Sequence, residues 1–363
     1  MFNKLLSLKR FSTKPIKIDF QNLTSQSYDL SSDIEKAFGL NGLGFAVITN
    51  IPSYPEYRKK VLASGYKLTH EPEEVIKSIS KPEIHNAIGF DDIPFITKGD
   101  KVNKMFCSFT ARNLRNSLIY PSHPEMERDH SNVWPNSLPK FKENFLHLGK
   151  LINSCQANLL RHMSNYITQC DSSFNNKLAN DFKDEIKQDS YSRLITYFPP
   201  DKYIHEREGD KYVWDDWHTD YSLLTALTHP LYFTKEGEVY PSGHSSLNIK
   251  DRQGNPHEVV YEENELAIQA SDALFILSGG RLLATPHSVR ISKKMPLNLF
   301  RINLAVFFQP NYNYIMNIPG GEEFKDIIKK DPMKFEFENA PFKNGMDYGK
   351  YIEDSLDYLL SRK

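Results

Sequence analysis

Apolar residues return along this chain in two rhythms. Between positions 139 and 167, Phe141, Phe145, Leu148, Leu151, Ile152, Leu159, Leu160, Met163 and Tyr166 recur three and four apart, which predicts one long helix with a single apolar face. From position 190 the rhythm shortens to two, the period at which side chains on a strand return to the same face. Segments 190–200, 222–228, 246–250, 258–261, 265–270, 273–277 and 300–309 read as short strands. Turn residues such as Pro241-Ser242-Gly243, Ser271-Asp272 and Ser278-Gly279-Gly280 separate them. The polar stretch 201–216 reads as a loop leading into Trp217. Many short strands at this spacing predict a mostly β core with flanking helices, built as a double-stranded β-helix, or jelly roll.

The amino-terminal part mixes both rhythms. Residues 16–20 alternate as a strand should, 31–40 read as a helix with Ser32 as its N-cap, and Gly42-Leu43-Gly44 turns into a buried strand ending near Asn50. An α/β amino-terminal region is therefore expected over 16–135, long backing helices over 136–189, the jelly-roll core over 190–312 and a capping segment over 313–363. Within these, 174–186 and 347–360 read as further helices. Residues 1–15 carry Lys4, Lys9, Arg10 and Lys14 with Ser7 and Ser12, and the first acidic residue is Asp19. That composition predicts a mitochondrial presequence processed near Arg10-Phe11-Ser12; without such processing the expected location is cytoplasmic.

Composition narrows the class without naming a chemistry. A chain of 363 residues with 39% hydrophobic and 25% charged residues is ordinary for a soluble globular protein, so disorder and fibrous structure are excluded. Net charge is −1 and no basic run occurs beyond the amino terminus, which argues against nucleic acid or an anionic membrane surface as partner. No apolar stretch approaches the length of a membrane span. Cys107, Cys155 and Cys170 are odd in number and lack metal-type spacing, so a reducing compartment and no disulfide framework are expected. The sequence is silent on oligomeric state.

The chemistry lies between Trp217 and Pro310. In Trp217-His218-Thr219-Asp220 an imidazole and a carboxylate stand two residues apart, so on a strand they share a face and one metal ion can touch both. A second imidazole, His287, follows a Gly279-Gly280-Arg281 turn. Two His and one carboxylate on one face of an iron, with the other positions open, form the facial triad of non-heme Fe(II) oxygenases. The strand over 300–309 then puts Ile302, Leu304, Val306 and Phe308 on one face and Arg301, Asn303 and Ala305 on the other. An Arg facing a cavity calls for an anion. His123-Pro124-Glu125 is a second His-x-acid match, which the family resemblance described below sets aside by placing it in the proline-rich approach to the long helix. His229, His244 and His257 are read as surface histidines in loops.

The order of these pieces resembles the Fe(II)- and 2-oxoglutarate-dependent oxygenases of the isopenicillin N synthase-like group. The likeness is strong over 190–310 and looser before it, where Asn132-Val133-Trp134-Pro135 is similar to a family stretch ahead of the long helix. It implies iron held by His218, Asp220 and His287, 2-oxoglutarate and O2 as cosubstrates, and Arg301 with Asn303 on the far carboxylate. Arg290-Ile291-Ser292 matches the family's Arg-x-Ser pair literally, but follows His287 too closely to reach the neighbouring strand. The family's Arg-Leu-Asn-Tyr-Tyr-Pro-Pro segment is similar to Arg193-Leu194-Ile195-Thr196-Tyr197-Phe198-Pro199-Pro200. Aligned on the prolines, its two cosubstrate-binding positions fall on Thr196 and Phe198, leaving Tyr197 on the opposite side as a packing aromatic that keeps a phenol. The resemblance thus implies a dioxygenase that oxidises a small organic molecule. Its alternatives are an iron-dependent oxidase that uses no 2-oxoglutarate, suggested by Thr196, Phe198 and Asn303, and a non-catalytic binding protein on the same fold.

Overall fold

The computed structural model describes residues 14–84, 86–92, 95–97, 101–103, 105–114, 131–183, 187–200, 207–208, 211–292, 295–333 and 341–361. The expected processing point near Arg10, and His123 with Glu125, lie outside the described residues.

Strand β1 (Ile16–Asp19) runs parallel to β2 (Phe45–Thr49), with Ile18 opposite Ile48. Between them α1 (Phe20–Thr24) is capped by the Asp19 carboxylate, which accepts from the Gln21 amide at 2.8 Å. Helix α2 (Ser31–Phe38) starts two residues earlier than a Ser32 cap allows. Its boundary residue is Leu30, and Asp29 accepts from the Ser31 amide at 2.9 Å instead. Helices α3 (Tyr54–Leu68) and α4 (Glu73–Ser78) lead to β3 (Gly89–Asp91), the small hairpin β4 (Phe95–Thr97) and β5 (Lys101–Asn103), and β6 (Phe106–Arg112).

The 3.6-residue pattern becomes α5 (Phe141–Cys170), whose buried face includes Phe141, Phe145, Leu148, Ile152, Leu159, Leu160, Met163 and Ile167. Burying each such side chain contributes about 1.5–3 kcal/mol, far more than helix propensity does. Trp134 stacks edge-on against Phe141 and Phe145 and so fixes the entry to α5. Helix α6 (Lys177–Phe182) is shorter than the 174–186 segment expected, and 184–186 lie outside the described residues.

The core strands are β7 (Tyr191–Tyr197), β8 (Arg207–Glu208), β9 (Lys211–His218), β10 (Leu224–Thr228), β11 (Leu231–Phe233), β12 (Val239–Tyr240), β13 (Leu247–Lys250), β14 (Pro256–Glu258), β15 (Leu266–Ala270), β16 (His287–Ser292) and β17 (Phe300–Phe308). They build two sheets. The larger has the order β1-β2-β15-β10-β17-β7-β6-β3, the smaller β14-β13-β16-β9-β8. Leu247 and Ile249 of the smaller sheet pack on Phe45, Val47 and Ala267 of the larger, and Val289 and Ile291 pack with Tyr197 and Tyr232. The sheets thus face one another as a jelly roll and do not close into a barrel. Because β1, β2, β3 and β6 join the larger sheet, the amino-terminal region and the core share one hydrogen-bonded layer.

Two further expectations change. Part of 201–216 is not loop: β8 and β9 form a hairpin, with Glu208 opposite Lys211. Its polar, charged sequence disguised an edge of the smaller sheet. The apolar run 273–277 is not a strand but part of α7 (Asp272–Leu277), all of it buried. A short apolar run is ambiguous between a buried strand and a buried helix, and Asp272 in the first turn decides for helix.

Strand parity holds along β17 and β7. Ile302, Leu304, Val306 and Leu194 are buried in the core shared with the helices. Gly65 in α3 comes so close that a Cβ there would lie 2.7 Å from Ile302 Cγ2 and 3.3 Å from Thr196 Oγ1. Beyond the core, β18 (Ile315–Met316), α8 (Phe324–Ile328), β19 (Met346–Asp347) and α9 (Tyr348–Ser361) form the capping segment. Tyr348 anchors it by donating to Gln309 Oε1 at 3.1 Å. Among the described residues no helix is long and apolar enough to cross a membrane.

Candidate active site

Of the two donors expected on one strand face, only His218 lies on a strand. It ends β9, and Asp220 sits in the turn that follows. That turn is held by the first residues of α7: the Asp272 amide donates to the Asp220 carbonyl at 2.8 Å and the Ala273 amide to the Ser222 carbonyl at 3.1 Å. His287 opens β16 directly opposite His218 in the ladder. His218 Nε2 lies 3.8 Å from Asp220 Oδ1, and His287 Nε2 lies 3.7 Å from Asp220 Oδ2.

Each imidazole is oriented by its other nitrogen. His218 Nδ1 donates to the Asp216 carbonyl at 2.7 Å and His287 Nδ1 to the Thr285 carbonyl at 3.1 Å. Carbonyls accept only, so each Nε2 carries a lone pair that a metal can accept. Gln269 Nε2 donates to Asp220 Oδ2 at 3.0 Å and sits 3.1 Å from the His287 ring nitrogens. Its Oε1 is buried without a hydrogen-bond partner among the described residues.

Burial opposes ionisation of Asp220, but the nearby imidazoles of His287 and His218, with hydrogen bonds from Thr225 and Gln269, outweigh it and hold the carboxyl below its ordinary range. Burial first, then the neighbouring His218, lowers the His287 value. An ionised Asp220 carboxylate beside a neutral His287 imidazole is the protonation state a divalent cation requires. The three donor atoms lie within 4.8 Å of one another. Ligand atoms about 2.1 Å from a common ion and at right angles stand roughly 3 Å apart, so the set closes around an ion with small side-chain shifts. The donor set therefore fits Fe(II).

These residues line a cavity of about 100 Å³ with Arg193, Ile195, Tyr197, Arg301, Asn303 and Phe307. Arg301 is buried: Nε and Nη2 donate to the Ser245 carbonyl at 3.2 and 2.9 Å, and Nη1 to Asn303 Oδ1 at 2.9 Å. Its guanidinium lies 5.1 Å from the centre of the Tyr197 ring. Burial raises the Tyr197 phenol above its usual value, so it stays a donor. A larger cavity of about 520 Å³, lined by Lys14, Tyr166 and Arg252 among others, is separate from all of these. Arg252 spends its guanidinium on the carbonyls of Gly42, Ala284 and Leu283. The donor set places the site in the smaller cavity.

Thr196 requires a correction. Its hydroxyl donates to the Gly65 carbonyl at 3.3 Å, on the helix side of the sheet. Tyr197, directly opposite Arg301, faces the cavity. Counting from Arg193 rather than from the prolines gives this register, with Ile195 and Tyr197 at the two inward positions. Phe198 is outside the cavity lining and packs edge-on against Phe300. Arg290 is likewise not in the lining; it bonds Asp216 at 2.8 Å and stacks over Trp217. His244 pairs with Glu258, and His257 with Asp251, both away from the donors. His229 is no surface residue: burial, then the charge of Arg58, pushes it down to about 4. Sequence reasoning missed Gln269, Ser245 and Arg193. Only strand parity, Gln269 facing inward beside Thr225, carried a signal for the first.

Neither a family model nor a curated protein sequence matches the chain. Solved structures do. A full-length Neurospora crassa protein in complex with alpha-KG is 20% identical and covers 94% of this chain and 95% of its own, with a TM-score of 0.66. A putative 2OG-Fe(II) oxygenase family protein from Caulobacter crescentus is 16% identical over 95% and 99% of the two chains, with a TM-score of 0.67. Dioxygenase for auxin oxidation 1 from Arabidopsis thaliana, in a 2-oxoglutarate complex, is 16% identical over 86% and 98%, with a TM-score of 0.57. The chain has the fold of these oxygenases.

Proposed function

We propose that the protein is an Fe(II)- and 2-oxoglutarate-dependent dioxygenase that oxidises a small organic molecule while 2-oxoglutarate is decarboxylated to succinate. The observation that carries this is the meeting of His218, Asp220 and His287 with Arg301 and Tyr197 in one cavity of the oxygenase fold. Held by His218, Asp220 and His287, Fe(II) would supply the activation of O2 by which 2-oxoglutarate, as two-electron reductant, is oxidatively decarboxylated to succinate and CO2. The side chains hold and shield. Arg301 presents a planar fork to the distal carboxylate of the oxo-acid, and Tyr197 adds a hydroxyl that makes no hydrogen bond among the described residues. Asn303, expected on the carboxylate itself, bonds Arg301 and fixes its orientation. Gln269 steadies Asp220 and His287, while Leu227, Leu247 and Val289 keep the cavity walls apolar and exclude water.

The oxidase alternative loses its motive here. Thr196 and Phe198 do not line the cavity, and Asn303 supports Arg301. Fe(II)-dependent succinate formation from 2-oxoglutarate, measured with and without a library of small metabolites, tests the proposal. Its complete absence in protein that binds iron would refute it. On composition alone, residues 1–15 are proposed as a mitochondrial presequence. A fusion of residues 1–25 to a fluorescent protein should enter mitochondria, and a diffuse cytosolic signal would count against that.

A further inference from the structure

Strand β7 turns a second guanidinium inward. Arg193 stands opposite Ala305 of β17 on one side and Thr110 of β6 on the other. It lines the donor cavity and also a second one of about 230 Å³, walled by Asn86, Asp91, Ser108, Thr110, Arg112 and Tyr312. Arg193 is therefore the wall the two cavities share.

The two arginines of the second cavity differ in how they are used. Arg112 is committed: it pairs with Asp189 at 3.2 Å, donates to the Asp189 carbonyl at 3.0 Å and stacks over Tyr191. Arg193 donates only through Nε, to Ser108 Oγ at 2.9 Å, with its guanidinium over the Phe106 ring. Among the described residues its Nη1 and Nη2 make no hydrogen bond and no ion pair. A half-buried guanidinium thus faces a partly open polar cavity with no anion of the described residues bonded to it. Its free edge has the two-donor geometry that matches a carboxylate. The rest of the wall is mainly hydroxyl and amide, with the Ala87 methyl and one carboxylate, Asp91. At this size the cavity falls below the range that holds drug-sized molecules, about 300–1,000 Å³.

We propose that the substrate is a small carboxylate, held by Arg193 in the second cavity and so set beside the donor cavity. This rests on the oxygenase reading above. Arg193 is a different anchor from the one assigned to 2-oxoglutarate: Arg301 lies opposite Tyr197, four residues along β7 from Arg193.

The test uses full-length protein with Fe(II) and saturating 2-oxoglutarate under anaerobic conditions. It is titrated with butyrate, benzoate and related monocarboxylates, each paired with its primary amide, reading both the visible charge-transfer band and the melting temperature. Carboxylates should perturb the band and raise the melting temperature more than their amides do. Arg193→Gln should weaken carboxylate binding about tenfold or more, as expected for loss of charged hydrogen bonds. Arg193→Lys, which keeps charge without the fork, should be intermediate, and it serves as the readout if Arg193→Gln does not fold. Equal binding of acids and amides overturns the proposal, as does unchanged carboxylate affinity in Arg193→Gln. Loss of the oxo-acid band itself in that variant would assign Arg193 to 2-oxoglutarate and overturn it too. If the wild type shows no band but carboxylates still stabilise it through Arg193, the carboxylate site stands and the oxygenase reading falls.

Discussion

Exchanging the roles of two adjacent residues, Thr196 and Tyr197, gives a quantitative test of the site. Tyr197→Phe removes one hydroxyl and leaves the ring in place, still under the Arg301 guanidinium and still packed on Trp214 at 5.6 Å. Folding stability should therefore hardly change. If that hydroxyl donates to the oxo-acid carboxylate, its loss costs about 1.5–3 kcal/mol, the range for hydrogen bonds to charged groups, or roughly 10- to 100-fold in affinity. Thr196→Val keeps the shape and removes a neutral bond to the Gly65 carbonyl at 3.3 Å on the helix side. That bond is worth about 1 kcal/mol of stability and nothing in affinity. The assay is isothermal titration of 2-oxoglutarate into protein loaded with Mn(II) as a redox-inert substitute for iron, paired with urea unfolding. The reverse pattern, weak binding in Thr196→Val and normal binding in Tyr197→Phe, would refute the strand register and with it the roles given to both residues.

Three further outcomes follow from the same geometry. Arg301→Leu should weaken 2-oxoglutarate by about a hundredfold or more while iron remains bound, because two charged hydrogen bonds are lost. Arg290→Leu should leave affinity within about twofold, since Arg290 bonds Asp216 and Ser288 and does not line the donor cavity. Asp220→Ala and His287→Ala should each abolish stoichiometric Fe(II) binding, read by equilibrium dialysis. His229 gives a pH signature: with a folded value of about 4 against an ordinary 6.5, the unfolded chain takes up its proton first. Its contribution is thus full above pH 6.5 and is lost as pH falls toward 4, by about 3 kcal/mol, and His229→Gln should remove that part of the urea-midpoint profile.

What could be read from the sequence was whatever rests on a repeated period or on a motif kept intact. The 3.6-residue pattern located α5, and the two-residue pattern of β17 put Arg301 and Asn303 on the face opposite Ile302, Leu304 and Val306. The donors His218, Asp220 and His287 were legible because their neighbours fix their order along the chain. Thr196 failed for a specific reason. Alignment on Pro199-Pro200 shifted the register by one, and in a strand one residue is the whole difference between the cavity and the helices. The buried run in α7 carried no periodicity that separates helix from strand. Gln269, Ser245 and Arg193 owe their places to pairings between distant segments, which no local pattern encodes. His229 looked like a loop histidine because nothing nearby in sequence announces Arg58 and Tyr261, which enclose it in the fold.

The central claim is that His218, Asp220, His287 and Arg301 form one iron and oxo-acid site. The most direct test is an anaerobic titration of the purified protein, first with Fe(II) and then with 2-oxoglutarate, following the visible charge-transfer band of the chelated oxo-acid. A saturable band at one iron per chain, absent in His287→Ala and displaced to high 2-oxoglutarate concentration in Arg301→Leu, is the predicted result. Iron bound with no band at any 2-oxoglutarate concentration, or no iron bound at all, would contradict it.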